Sequence, residues 1–69
     1  SMSFEDIPAL IRRIRERAGW TQERLAREIG VAFSTVNNWE GGKRRPQPYL
    51  LQRLLEIEAD VCTNETTLG

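Results

Sequence analysis

Glycines at Gly19, Gly30 and the pair Gly41 and Gly42 divide most of this 69-residue chain into short segments. Within the segments, apolar residues recur every three or four positions, as on the buried face of an amphipathic helix. Glycine commonly occupies the left-handed position just past the end of a helix. Because the apolar–polar alternation of a strand is missing, the sequence predicts an all-α fold of short helices joined by tight turns.

The helices have recognisable start signals. Asp6 is predicted to cap the first helix, although Ser3 would cap a longer version of it. Thr21 is predicted to cap the second, with Trp20 before the cap placed to pack on Leu25. The last residues have little to bury and predict a frayed or weakly docked tail. The predicted helices cover residues 7–18, 22–29, 32–40 and 48–59, with the tail at 62–69, all in a single domain, 1–69.

Composition argues against an enzyme. A chain of this length buries only about 60% of the surface that it exposes when unfolded, which leaves little room for a catalytic cleft. It has no histidine, so neither a zinc site nor histidine acid–base chemistry is expected, and no cofactor is predicted. The single Cys62 is expected to be an ordinary reduced thiol rather than a redox sensor. With neither a membrane-spanning run nor a signal peptide legible, a cytoplasmic location is expected.

The charges are segregated although their sum is zero. Residues 12–45 carry nine cations and four carboxylates, a net charge of +5, whereas both ends of the chain are acidic. The segment KRRPQP, residues 43–48, predicts a basic loop because its two prolines interrupt regular structure. A basic middle between acidic ends predicts a surface that binds a polyanion.

Residues 21–46, TQERLAREIGVAFSTVNNWEGGKRRP, resemble the Cro and repressor-type (XRE-like) helix-turn-helix family of phage and bacterial regulators. The shared features are the Gln after the cap, Leu-Ala, Ile-Gly-Val, Ser-Thr-Val, Trp-Glu, Gly-Lys and the final Pro. The resemblance extends over residues 10–58. It implies a compact four- to five-helix bundle of the lambda-repressor-like type, which binds double-stranded operator DNA as a dimer, mostly for repression.

The third helix is predicted to read DNA bases. Val36 and Trp39, three positions apart, mark its buried side. The residues left to point outward are Phe33, Ser34, Asn37 and Asn38, and the resemblance places all of them except Asn37 against base edges. Asn38 can pair with adenine and Phe33 can contact a thymine methyl group. The alternatives are that Phe33 folds back onto the domain and that the asparagines are ordinary surface residues.

Other residues are predicted to hold phosphates or to support the fold. The predicted phosphate contacts are Gln22, Lys43, Arg44 and Arg45; the alternative for the loop is an ordinary solvated one. Glu40 is unfavourable at a helix C-terminus, where it meets the negative end of the dipole. The resemblance pairs it with Arg15, and loss of either partner from a buried pair would cost roughly 3 to 5 kcal/mol. Trp20 and Trp39 are predicted to be core residues.

Leu51 and Leu55 form a second apolar stripe on the fourth helix, beside the stripe of Leu50, Leu54, Ile57 and Val61. Two uses are open: the stripe covers a further helical turn of the same chain, or it meets its copy across a two-fold axis in a homodimer. A rival function is an antitoxin-type module, in which the acidic ends and these leucines bind a basic protein partner while the middle contacts DNA. Weak binding to any DNA, regardless of sequence, is another possibility.

Overall fold

The computed structural model describes the backbone of residues 6–68 and the side chains of residues 6–62. Within this range the chain forms helices only, which confirms the predicted all-α class. The helices are α1 (Ile7–Ala18), α2 (Gln22–Ile29), α3 (Phe33–Glu40) and α4 (Pro48–Leu68). α3 packs against both α1 and α2, and α4 packs mainly against α1.

Side-chain caps start the first two helices. The Asp6 carboxylate accepts a hydrogen bond from the Ala9 N–H at 3.2 Å, and the Thr21 hydroxyl accepts one from the Arg24 N–H at 3.0 Å. Ser3, the other candidate cap, lies outside the described residues. Gly30 ends α2 with φ +92°, a left-handed conformation in which a Cβ atom would be strained. This glycine lets the chain turn sharply from α2 into α3.

α3 begins one residue later than predicted. Ala32 precedes it in an extended conformation and makes no side-chain capping bond. The side chain of alanine has no oxygen with which to accept a hydrogen bond from the first free N–H groups of the helix. Compared with a serine or aspartate cap, the missing bond costs on the order of 1 kcal/mol.

All four helices contribute to one apolar core. α1 supplies one continuous stripe, α2 and α3 each supply a pair of residues, and α4 closes the cluster. The buried residues are Ile7, Leu10, Ile11, Ile14, Leu25, Ala26, Val36, Trp39, Leu54 and Ile57. Because α3 places both of its core residues on one side, its opposite side is turned away from the bundle.

Trp20 differs from its prediction as a core residue. It is only partly buried at the edge of the core, whereas Trp39 is 2% exposed. The guanidinium of Arg24 lies 5.0 Å from the centre of the Trp20 ring, close enough for a cation–π contact. Trp20 sits in the turn between α1 and α2, so that the core covers it incompletely.

α4 is longer than predicted, and the predicted tail is largely helical. The helix does not end near residue 59 but runs to Leu68; Gly69 lies outside the described residues. The segment from Tyr49 to Leu68 contains neither glycine nor proline, so backbone hydrogen bonding continues without an interruption. No helix in the described part of the chain is apolar over a length that would span a bilayer.

The two leucines of the second stripe have different surroundings. Leu51 packs against the core of its own chain, whereas Leu55 is 45% exposed. Leu51 is thus partly used within its own chain, and its predicted role in a homodimer stays a prediction. Because α4 continues as one helix, residues up to 68 do not fold back to cover Leu55 as a separate helical turn.

Candidate nucleic-acid interface

The outer side of α3 is polar except at its start. Val36 and Trp39 are buried, and Ser34 and Asn37 are exposed. Phe33 is 46% exposed and does not fold back into the core. Asn38 is partly buried, beside the helix face that packs on the domain. The structure thus brings the four predicted base-contacting residues onto one helix, three of them well exposed.

A basic loop follows α3 directly and is held against its end. The Gly42 N–H donates to the Trp39 carbonyl at 3.2 Å, and the Lys43 N–H donates to the Asn38 carbonyl at 2.9 Å, as in a Schellman motif. Gly42 has φ +79°, and a Cβ atom there would lie 3.7 Å from Cγ of Pro8. The backbone of α3 therefore fixes where the loop begins.

The three cations of this loop are all exposed. Lys43, Arg44 and Arg45 make no side-chain ion pair or hydrogen bond with any described residue. By contrast, Arg24 on α2 is paired with Glu28 at 2.9 Å. The loop therefore presents uncompensated positive charge next to the polar side of α3.

Arg15 and Glu40 lie together and connect three parts of the fold. Nη1 of Arg15 donates to both carboxylate oxygens of Glu40, at 2.8 and 2.9 Å. Nε of the same arginine donates to the carbonyl of Trp20 at 3.1 Å. The side chains are 28% and 13% exposed, respectively. One guanidinium thus ties α1 to the turn before α2 and to the last residue of α3.

Glu40 remains ionised in this position despite its burial and the helix dipole. Burial opposes the charged form, but hydrogen bonds from Gln22 and Arg15, together with the positive charge of Arg15, outweigh it. The pKa of Glu40 is consequently lowered from its ordinary value of 4.5. The unfavourable location at the C-terminus of α3 is compensated by these partners.

Gln22 has a contact that the sequence did not reveal. Its Nε2 atom donates to Oε1 of Glu40 at 2.9 Å, so the residue predicted to bind phosphate also belongs to the Arg15–Glu40 network. The side-chain amide carries two hydrogens, which leaves one for a further acceptor. The position of Gln22 one residue after the Thr21 cap was a visible signal, but nothing in its spacing from Glu40 indicated the bond.

A second ion pair was also not predicted from the sequence. Nε of Arg13 donates to Oε2 of Glu58 at 2.7 Å and joins α1 to α4. This hydrogen bond is the main reason why the pKa of Arg13 is raised. The two residues are far apart in the sequence, and only the packing of α4 on α1 brings them together.

A solvent-open groove of about 320 Å³ beside the network is lined by Arg12, Arg15, Glu16, Gly19, Trp20 and Glu40. Within the described residues, no three side chains of histidine, cysteine, aspartate or glutamate are grouped so that they could hold a metal ion.

Together, α2, the turn at Gly30 and α3, supported by α1 and α4, form a helix-turn-helix domain. A family model described as Helix-turn-helix matches residues 11–57, and the chain belongs to the Cro/repressor-type (XRE-like) helix-turn-helix family. This is a family of DNA-binding transcription regulators and not of enzymes. Comparisons with curated proteins and with solved structures give no significant match.

Proposed function

We propose that this chain is a sequence-specific repressor that binds an inverted-repeat operator as a homodimer, with α3 in the major groove. One observation carries the proposal. Burial of Val36 and Trp39 turns the opposite side of α3 outward, directly beside three exposed cations. An α-helix fits the major groove, where every base pair displays a distinct pattern of donors, acceptors and methyl groups.

The exposed side chains of α3 match the chemistry of base edges. The amide of Asn38 offers a donor and an acceptor, which suits the N6 and N7 atoms of adenine. Asn37 offers the same groups from a more exposed position, and the hydroxyl of Ser34 can donate or accept. Phe33 is the apolar member of the set. These residues are proposed to choose the sequence.

The cations are proposed to hold the DNA backbone without choosing the sequence. Lys43, Arg44 and Arg45 would bind phosphates, together with the second amide hydrogen of Gln22 and the free N–H groups at the start of α2. A dimer with about five such contacts per subunit would lose roughly 10³ to 10⁵ in affinity between 50 and 200 mM salt.

Dimer formation is proposed through the exposed side of α4. Leu55 is 45% and Tyr49 69% exposed there. In a two-fold dimer the two α3 helices would lie about 34 Å apart, one turn of DNA, so the target would be an inverted repeat. Occupation of the operator would be sufficient for repression. Cytoplasmic location, in a bacterium or phage, is part of the same proposal.

An antitoxin-type role is the second candidate. The exposed Leu55 is flanked on the same helix by Glu56, and Asp60 lies one turn further on; both acidic residues are exposed. An apolar residue among carboxylates would suit a basic protein partner. Co-purification of a basic protein encoded next to this chain, displaced by Leu55→Gln, would favour this role over the homodimer.

The function is tested by selecting bound duplexes from a random pool and then comparing variants on selected and random DNA. Asn38→Ala is expected to lose about 1 to 3 kcal/mol on the selected duplex and to relax preference at one or two base positions. Arg44→Ala is expected to weaken binding to both duplexes alike and to reduce the salt slope by about one contact per subunit. Arg53→Ala, an exposed arginine on α4, is the matched control and should change neither.

Two results would contradict the proposal. The pool could yield no common sequence, or Asn38→Ala could weaken selected and random duplexes by the same factor. Either result would remove α3 as the element that chooses the sequence.

A further inference from the structure

Two apolar residues lie at the start of α3, on its outer side. Ala32 is exposed and makes no capping bond, and Phe33, the next residue, is 46% exposed. Apart from Phe33, the large exposed hydrophobic residues of the described chain are Tyr49 and Leu55, both on α4. The side of α3 that the proposed function places in the groove therefore begins with two adjacent apolar side chains.

These side chains lie outside the buried core of the chain. A polar residue at position 32 would cap α3, and Phe33 leaves almost half of its surface in water, outside the buried core cluster. Neither side chain can bind a phosphate or pair with a donor or acceptor on a base. Burial of this surface requires an apolar group on the bound DNA.

The major groove offers one such group, the C5-methyl group of a pyrimidine. Thymine carries it, and cytosine carries it only when methylated at C5. Ser34 follows Phe33 on the exposed side of α3, so a hydrogen-bonding residue lies next to the apolar pair. The exposed cations of the loop after α3 supply the charge complementarity that would bring the start of α3 to duplex DNA.

We propose that Ala32 and Phe33 form a methyl-reading edge, so that binding depends on a pyrimidine C5-methyl group whichever base carries it. The inference rests on the proposed function, since it requires α3 to enter the major groove. With such an edge, the domain distinguishes thymine from uracil at the contacted position. Methylation of cytosine at that position strengthens binding for the same reason.

The test replaces each thymine of the selected duplex by deoxyuridine, one position at a time. This change removes the methyl group and keeps every hydrogen-bonding atom in the groove. At one or two positions of each half-site, affinity of the full chain should fall about fourfold, the factor expected for losing burial of one methyl-sized group. Replacing the same thymine by cytosine and then by 5-methylcytosine should show tighter binding to the methylated base.

Variants assign the effect to its residues. In Phe33→Ala, thymine and deoxyuridine should bind equally at the sensitive position, whereas Asn38→Ala should keep the difference. Glu28→Gln changes an exposed residue of α2 that lies in neither the proposed DNA-contacting surface nor the proposed dimer surface, and this control should also keep the difference. Circular dichroism of each variant shows whether the fold is retained.

Different results would overturn the methyl-reading edge and the proposed function. If the chain selects a common sequence but binds uracil-containing duplexes as tightly as the originals at every thymine, the methyl-reading edge is overturned and sequence-specific binding stands. The edge is also overturned if Phe33→Ala keeps the full thymine preference. If no common sequence is selected, the proposed function is contradicted, and the methyl-reading edge is contradicted with it.

Discussion

Glu40 shows how a residue that is unfavourable locally can stabilise the whole interface. It lies at the last position of α3, where the helix dipole disfavours a negative charge. Arg15 from α1 and Gln22 from α2 both donate to its carboxylate. These bonds fix the end of α3 against the two helices beneath it. The orientation of the residues proposed to contact bases therefore depends on a carboxylate that is not expected to touch DNA.

Replacing Glu40 by glutamine should destabilise the domain by about 2 to 3 kcal/mol, because a partly buried guanidinium loses its counter-charge. The cost is smaller than for a fully buried pair, since the Arg15 side chain is 28% exposed. Urea denaturation measures it. Glu28→Gln breaks the exposed ion pair with Arg24 and should change stability by less than about 0.5 kcal/mol. Equal effects of the two substitutions would contradict the role given to Glu40.

The same network predicts a specific pH dependence. The pKa of Glu40 is lower in the folded chain than its ordinary value of 4.5, so its stabilising effect is complete above that value. As the pH falls through the folded pKa, Glu40 becomes protonated and the effect is lost. The stability difference between the original chain and Glu40→Gln should therefore be constant above pH 4.5 and shrink below it. A difference that grows on acidification would be inconsistent with the lowered pKa.

Among the first three helices, α3 is the one whose N-terminus has no side-chain cap. α1 and α2 each begin with a side-chain cap, from Asp6 and Thr21, whereas Ala32 provides none. Helices this short are not stable in isolation and depend on packing. α3 keeps its place through Val36, Trp39 and the bonds to Glu40. Its exposed first turn is therefore the part of the helix with least support from the fold.

Ala32→Ser should stabilise the domain by about 1 kcal/mol, because the hydroxyl can accept a hydrogen bond from a free N–H of α3. Thermal or urea unfolding measures the change. Thr21→Ala, which removes the existing cap of α2, should destabilise by a similar amount. Absence of stabilisation by Ala32→Ser would mean that the start of α3 does not have the extended conformation that a cap requires.

Two features of the whole molecule have different consequences. These features are the separation of its charges and the exposed side of α4. The basic loop and the outer side of α3 lie together, while the acidic residues 56, 58 and 60 lie on α4. This arrangement lets a chain of zero net charge bind a polyanion on one side. Leu55 and Tyr49 on α4 remain available for a second copy.

Leu55→Gln should weaken the proposed dimer by about 2 kcal/mol, or about 30-fold in dissociation constant, because two copies of a half-exposed leucine lose apolar burial. Sedimentation equilibrium measures the shift towards monomer. Glu28→Gln on α2 is the control and should leave the equilibrium unchanged. A chain that is monomeric at all concentrations, and that binds single half-sites as well as inverted repeats, would contradict the homodimer.

Local sequence signals were sufficient for most of the fold. Asp6 and Thr21 cap the helices that they were predicted to cap, and Val36 and Trp39 are buried as their spacing indicates. Caps, glycine stops and helical periodicity act within a few residues, so the sequence shows them directly. The pairing of Glu40 with Arg15 was available only from the resemblance to the family, because its partners lie on different helices.

The helical class, the buried side of α3 and the basic middle of the chain could thus be predicted from the sequence, since each depends on neighbours along the backbone. Packing between helices decides that Leu51 is partly buried against the core while Leu55 is 45% exposed, that Trp20 lies at the edge of the core, and that Gln22 joins Glu40. These facts depend on where one helix lies relative to another. Helical periodicity gives the direction in which a residue points but not what it meets there.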